Sequence, residues 1–312
     1  MQFVTLSNGV KMPIIGYGVY QVGKNECEQC VLDALSVGYR HIDTAQSYFN
    51  EEQVGNAVAK SGINRHDIFI TTKVWIEHYG HEQTKQSVAE SMRKLKTDYI
   101  DLVLLHQPFS DVYGAWHALE DLYRQGVVRA IGVSNFYPDR LVDICSFAEI
   151  KPMVNQVETH PHNQQIEAGK WMHKYCVQHE AWASFGEGRN GLFTEPTLVQ
   201  IGNRYGKTAA QVMLRWAIQR NIVVLPKSVT RTGWSKTSTC LIFHLPMPTW
   251  HKSPRLIATK VPSSLTPIPA WSSGSHAWSK SASTTMTTNA KRKTGNFRHT
   301  KACVLWHKQI SL

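Results

Sequence analysis

Four ionisable side chains pose the first chemical question. Asp43, Tyr48, Lys73 and His106 each sit at or just past the end of a short apolar run of the kind that forms a strand in a parallel sheet. A lysine ammonium beside a tyrosine favours the phenolate, and so draws the phenol's pKa down toward the working pH. An aspartate next to that lysine would keep it charged and oriented, while a histidine could share the proton or aim a carbonyl. Together the four could hand a proton to a carbonyl oxygen. Taken singly, each has a plainer reading: Lys73 and Asp43 as a structural ion pair, His106 as a satisfied core histidine, Tyr48 as a rim aromatic.

The elements that would position these residues follow from the alternation of short apolar and longer amphipathic runs between residues 14 and 228. Strands are expected at 14–19, 41–44, 68–73, 100–106, 130–134, 153–158, 181–185 and 222–227, and helices at 26–37, 51–60, 82–94, 113–125, 138–147, 166–179 and 208–220. Gly38, Gly62 and Gly126 fall just past helix ends, and Pro138 near a helix start. Eight strands with interleaved helices predict an α/β fold of the (β/α)8 barrel type, whose active sites are built at the C-terminal ends of the strands. Ahead of the first barrel strand, residues 3–6 and 10–12 flank Asn8-Gly9 and read as a β-hairpin with a type I′ turn, placed to plug the barrel floor.

The words around the four residues are more specific than the residues. His41-Ile42-Asp43-Thr44-Ala45 leading to Tyr48-Phe49-Asn50-Glu51, Thr72-Lys73-Val74-Trp75, Leu104-Leu105-His106-Gln107-Pro108, Gly132-Val133-Ser134-Asn135-Phe136 and Leu225-Pro226-Lys227-Ser228 occur in that order. Over residues 1–230 the chain closely resembles the aldo-keto reductase family, in particular its bacterial 2,5-diketo-D-gluconate reductase branch. The resemblance implies reduction of aldehydes and ketones to alcohols by NADPH. Tyr48 would be the general acid, Lys73 would lower its pKa, Asp43 would hold Lys73, and His106 would orient the substrate carbonyl. Ser134, Asn135 and Gln156 would bind the nicotinamide carboxamide and Trp182 would stack on the ring. Phe185 and the loop after it would cover the pyrophosphate, and Lys227 with Ser228 would meet the adenosine 2′-phosphate. Tyr20, Trp75 and Phe109 are candidates for the apolar walls of the substrate pocket, with barrel-rim packing as the alternative. Ser184 stands where many relatives carry proline or another small residue.

Other motifs point elsewhere and are set aside on physical grounds. The string Gly186-Glu187-Gly188-Arg189-Asn190-Gly191 satisfies the G-x-G-x-x-G pattern, yet a loop rather than an immediate helix is expected after it and no acidic residue follows at the ribose-binding offset. Cys27 and Cys30 form one C-x-x-C inside an expected helix, and the six cysteines show no repeating spacing, which suits reduced thiols. His160, His162, His78 and His81 lie in expected loops without acidic or cysteine partners at ligand spacing, so no metal is expected. No apolar run is long enough to cross a bilayer, and no leader pattern opens the chain. The expectation is a cytoplasmic monomer acting on a small carbonyl compound, with neither nucleic acid nor membrane as partner.

Charge divides the chain. Of 34 basic and 23 acidic residues, 12 basic and no acidic ones lie after position 230, so residues 1–230 carry net −1 and residues 231–312 net +12. Pro246, Pro248, Pro254, Pro262, Pro267 and Pro269 interrupt that second stretch. Two regions are therefore expected: a barrel over 1–230 and an aberrant, irregular basic tail over 231–312, with the last barrel helix missing. Decoded one base out of frame, residues 231–243 and 255–274 yield text resembling the family's ordinary C-terminus, which suggests a frameshift. The alternative function is then a catalytically impaired or non-enzymatic barrel with residual cofactor binding. A rival reading of the tail, with Lys291-Arg292-Lys293 at its centre, is an arm for polyanions.

Overall fold

In a computed structural model, the described residues are 1–189 and 191–228, with Gly233, Cys240 and Leu245 beyond them. The chain opens with β1 (Phe3–Thr5) and β2 (Lys11–Pro13), paired antiparallel with Phe3 opposite Pro13. The turn between them differs from the expected type I′. Gly9 N–H donates to Leu6 O at 2.9 Å, and Leu6 N–H donates to Val10 O. Gly9 has φ +85°, and Asn8 is not among the residues with positive φ. This is a three-residue loop, a type I turn closed by a left-handed glycine.

Eight parallel strands follow: β3 (Tyr17–Gly18), β4 (His41–Asp43), β5 (Phe69–Val74), β6 (Leu102–Leu105), β7 (Ile131–Ser134), β8 (Val154–Glu158), β9 (Gln178–Trp182) and β10 (Val223–Val224). Each pairs with the next in sequence, from β3 through to β10. A parallel bridge between Ile15 and Val224 joins the last strand to the first, with Gly16 N–H donating to Val224 O at 2.9 Å and Val224 N–H to Ile14 O at 3.0 Å. The sheet is thereby closed into the (β/α)8 barrel. Every residue of β5 and β6 is buried, as expected for strands covered on both faces. The first strand comes so close to its neighbour that a Cβ at Gly16 would lie 2.5 Å from His41 Nδ1.

Around the sheet run α1 (Lys24–Ser36), α2 (Glu51–Lys60), α3 (His81–Leu95), α4 (Val112–Arg124), α5 (Pro138–Phe147), α6 (Ile166–Lys174), α7 (Pro196–Tyr205) and α8 (Ala209–Gln219). Two expectations need correction. The helix placed at 166–179 stops at Lys174, because Cys176 turns into the left-handed region at φ +58°. The seventh barrel strand therefore begins at Gln178 and ends at Trp182, not at 181–185. No glycine or proline marks that stop, so the apolar periodicity carried the helix too far. Helix α7 was absent from the expectation altogether, although its signals are present. Pro196 occupies the first turn, the Glu195 side chain accepts Leu198 N–H at 2.8 Å, and left-handed Gly206 closes the end. Two helices thus separate β9 from β10. The second of them, α8, begins with a capping box between Thr208 and Gln211.

All described residues fall in one unit of the chain, Met1–Pro262. No described helix is long and apolar enough to cross a membrane. Leu245 is fully buried with Leu192, Leu198, Ile201 and Val212, and its backbone exchanges hydrogen bonds with the Gln219 side chain at 2.8 and 2.9 Å. The expectations for the remainder of the tail, including the missing last helix, the irregular basic stretch and the polyanion arm, lie outside the described residues.

Candidate active site

Asp43 ends β4 and Lys73 lies within β5, so neighbouring strands bring the two side chains together at one rim of the barrel. Lys73 is fully buried and donates to Asp43 Oδ1 at 2.7 Å and to Thr44 O at 2.9 Å. Its third contact is Tyr48 Oη at 3.5 Å. The ammonium also lies 5.0 Å from the Tyr48 ring centroid. Burial is the largest influence on Lys73 and pulls its pKa down, but Asp43 and Tyr48 bring it above the ordinary lysine value. The side chain is a fixed cation.

Tyr48 sits in a 3-10 turn, Gln46–Tyr48, that ends at Phe49 with φ +57°. One buried and one half-buried side chain, Asn50 and Gln46, hold this turn. Asn50 accepts from the Thr44 hydroxyl at 2.8 Å and donates to Val19 O at 3.0 Å. Gln46 donates to Ser87 O and Ser91 Oγ and accepts Trp75 N–H at 2.9 Å. The phenol differs from expectation in one respect. Lys73 does lower its pKa, but burial raises it more and Asp43 adds to the rise, so the phenol is pushed up to about 12. Asp43 offsets the field of the ammonium it holds. The phenol therefore keeps its proton, which is the form a proton donor requires.

His106 follows β6, with its ring edge-on to Tyr48 at 5.7 Å and to Trp75 at 5.2 Å between centroids. Ser47 Oγ lies 3.3 Å from His106 Nδ1. Burial, then the Lys73 charge, holds the imidazole well below its ordinary pKa, so it is neutral. Tyr20 stacks at a tilt on Tyr48 at 4.9 Å. Tyr20 and Phe109 are both more than two-fifths exposed, and Trp75 is half-buried.

The residues expected to hold a nicotinamide come from the next strands around the barrel. Ser134 on β7 pairs in register with Gln156 on β8, and Ser134 Oγ donates to Gln156 O at 3.0 Å. Asn135 adopts φ +64°, a region asparagine tolerates better than most residues. It donates to His106 O at 3.2 Å and accepts Trp182 Nε1–H at 2.9 Å. One amide thus fixes both the histidine segment and the indole that ends β9. Gln156 Nε2 donates to Asp43 Oδ2 at 2.9 Å and to Glu180 Oε2 at 3.0 Å, which leaves its Oε1 as the open end of the amide. Phe185 packs on Phe193 at 5.5 Å, beside the loop that begins at Gly186. Ser228 O accepts from the Tyr17 hydroxyl at 2.8 Å. Lys227 is exposed, with no carboxylate within ion-pair distance among the described residues.

Four contributors were not picked out from the sequence: Ser47, Gln46, Asn50 and Glu180. The first three are short-range neighbours of Tyr48 in a polar segment, where nothing distinguishes them from ordinary loop residues. Glu180 was missed because the expected strand began one residue after it, at 181, whereas the observed strand runs from Gln178 to Trp182 and buries it. Two of the histidines considered as metal ligands have other partners. His160 lies 3.1 Å from Glu158, and His81 lies within 2.9 Å of both Glu82 and Asp121. Among the described residues no group of three or more His, Cys, Asp or Glu could hold a metal ion. The non-enzymatic alternative finds no support in this geometry.

Comparisons with known proteins agree in direction. The pattern of the Aldo/keto reductase family matches residues 14–234. The chain is 46% identical to a glyoxal reductase of Bacillus subtilis over 228 residues, covering 72% of this chain and 82% of that protein. It is 37% identical to a methylglyoxal reductase of Escherichia coli over 230 residues, covering 73% and 83%. Among solved structures, it superposes on a Bombyx mori aldo-keto reductase in complex with NADP with a TM-score of 0.77 at 30% identity, covering 80% of this chain and 91% of that one. It also superposes on an aldo/keto reductase from Brucella melitensis with a TM-score of 0.78 at 39% identity, covering 82% and 99%.

Proposed function

The chain belongs to the aldo/keto reductase family, and on that premise we propose how its site carries out the NADPH-dependent reduction of aldehyde and ketone carbonyls to alcohols. The observation that carries the reading is the Lys73 ammonium placed between Asp43 Oδ1 at 2.7 Å and Tyr48 Oη at 3.5 Å. NADPH, when bound, supplies the hydride that adds to the carbonyl carbon. As negative charge grows on the carbonyl oxygen, Tyr48 passes its proton to that oxygen. Lys73 stabilises the phenolate left behind, and Asp43 keeps the ammonium charged and aimed. In the tautomer that accepts the Ser47 hydroxyl at Nδ1, neutral His106 carries its proton on Nε2 and can hydrogen-bond the substrate oxygen.

The residues present fit the cofactor. Trp182 has its N–H tied to Asn135 and no aromatic partner among the described residues, so a planar ring can stack on it. Gln156 Oε1 and Ser134 are proposed to hold the carboxamide, Phe185 and its loop to cover the pyrophosphate, and Lys227 with Ser228 to meet the 2′-phosphate. Lysine meets phosphate as a point charge, where arginine would offer a fork. Tyr20, Trp75 and Phe109 are proposed as the apolar walls for a small, planar substrate. With relatives named for glyoxal and methylglyoxal, short α-dicarbonyls are the substrate class. Residues 1–230 are proposed to form the catalytic domain and residues 231–312 the frame-shifted tail, next to the point where the family match ends at residue 234. The protein is proposed to act as a cytoplasmic monomer without nucleic acid. Free thiols at Cys27, Cys30, Cys145, Cys176 and Cys240 support a reducing compartment.

The test is NADPH consumption with methylglyoxal, followed by absorbance. The wild-type chain is expected to turn over, and Tyr48→Phe to lose about 10²- to 10⁴-fold in kcat while still quenching on NADPH binding. Full activity in Tyr48→Phe would overturn the assignment of the acid.

A further inference from the structure

Beneath the site lies a second buried carboxyl group that the reaction as described does not use. Glu180 is completely buried in the middle of β9. Its Oε2 accepts one N–H of the Gln156 amide at 3.0 Å, while the other N–H of the same nitrogen goes to Asp43 Oδ2 at 2.9 Å. Its Oε1 has no hydrogen-bond partner among the described residues. His41 Nε2 lies 3.9 Å from that oxygen, and this nitrogen is already engaged by Thr71 Oγ1 at 3.0 Å.

Resting on the reading above, we propose that Glu180 is a positioning residue for the reductase reaction. Held as a neutral carboxylic acid, it clamps the Gln156 amide against Asp43, so that Gln156 Oε1 is presented to the nicotinamide carboxamide and Asp43 with Lys73 remains the only charged pair beside Tyr48.

Three observations support the neutral form. A carboxylate buried with one bare oxygen is strongly disfavoured. Among the described residues Lys73 is the cation whose charge acts on Glu180, and it is committed to Asp43 at 2.7 Å, so it cannot compensate two anions. Burial first, and the Asp43 charge second, push Glu180 up to about 8, against smaller pulls from Gln156 and Lys73. The groups facing Glu180 are Asp43 and His41 from β4, Lys73 from β5 and Gln156 from β8. His41 is itself buried and pushed down to about 3, hence uncharged. When Glu180 ionises above neutrality, the added negative charge strengthens the hold of Tyr48 on its proton.

The test uses the full chain with Glu180→Gln and Glu180→Met. In cofactor-free protein, the infrared difference between wild type and Glu180→Gln should show a protonated carboxyl C=O stretch at neutral pH that fades by about pH 9. Fluorescence titration should show Glu180→Met binding NADPH about tenfold more weakly, since the amide has lost one anchor. Glu180→Gln, which still offers an acceptor oxygen, should recover most of that loss. In the pH profile of kcat for reduction, the alkaline limb of Glu180→Gln should lie about half a unit or more below that of the wild type. A purely structural role would lower Tm in both variants and leave that limb in place. Absence of the carboxyl band, or wild-type NADPH affinity in Glu180→Met, overturns the proposal. A wild-type chain that reduces no carbonyl would instead sink the reductase reading, while the infrared band and the titration still decide on Glu180.

Discussion

Replacing Lys73 by methionine separates the two tasks of this side chain, because the shape is nearly kept while the charge is lost. The ammonium lies 2.7 Å from Asp43 Oδ1, which at an effective dielectric of about 20 corresponds to roughly 6 kcal/mol of attraction. Most of this only offsets the desolvation of two buried ions, so the pair contributes little net stability over an apolar replacement of both. Removing one partner is different. It strands Asp43, which is 3% exposed, and breaking such a pair costs about 3–5 kcal/mol. In a barrel of this size each kcal/mol moves Tm by roughly 2–4 °C, so Lys73→Met should melt about 6–20 °C lower. Adding Asp43→Asn removes the stranded charge while keeping an acceptor for Gln156, and should recover at least half of that loss. Activity should not return, because Tyr48 no longer has a cation to stabilise its phenolate. Both the single and the double variant should lose about 10²-fold or more in kcat/KM with methylglyoxal. Thermal melts and NADPH consumption on the same preparations give both readouts. The reasoning fails if Lys73→Met melts within about 2 °C of wild type, or if the double variant is less stable than either single one.

Three further outcomes follow from the geometry. Asn135→Ala removes the acceptor for the Trp182 N–H and places a less tolerant residue at φ +64°; NADPH affinity measured by fluorescence quenching should fall about tenfold, and an unchanged Kd would rule out the indole anchor. Lys227→Ala should weaken NADPH binding about tenfold at low salt while leaving NADH binding as it was, so parallel loss of both nucleotides would argue against the 2′-phosphate contact. His41 and His179 are buried and pushed down to about 3, below the unfolded value near 6.5. The unfolded chain therefore binds more protons as pH falls from about 6.5 toward 3, and each histidine removes about 1.4 kcal/mol of stability per unit across that window. Glu180, whose folded pKa is raised to about 8, works in the opposite sense between about 4.5 and 8 and offsets one of them. Urea melts between about pH 6.5 and 5 should show lower stability at the acid end, with a flatter slope in His179→Gln; an equal slope in that variant would refute the assignment.

How far these features were legible varies with the range of the interaction behind them. The hairpin was visible in its flanking strands, but its turn type was not, because the same Asn-Gly pair serves a type I turn with a left-handed glycine as readily as a type I′ turn. Helix α7 was overlooked although its proline, glutamate cap and terminal glycine were all present, since the preceding glycine-rich stretch masked a ten-residue helix as loop. The seventh strand was misplaced for a stronger reason. Its true start depends on a left-handed cysteine that no local preference announces.

What the sequence alone determined was where the second, third and fourth barrel strands end and which residues occupy those ends. Alternation of apolar and amphipathic runs is a local property, and the barrel places whatever follows each strand at a common rim. Asp43, Tyr48, Lys73 and His106 were therefore recognisable before any contact between them was known. Only the tertiary structure decided how their charges balance. The hydrogen bond from Gln156 to Asp43 spans 113 residues, and the orphaned oxygen of Glu180 exists only because the closed barrel excludes water from it. Depth of burial and partners distant in sequence set which groups are ionised, and neither is encoded by any single segment.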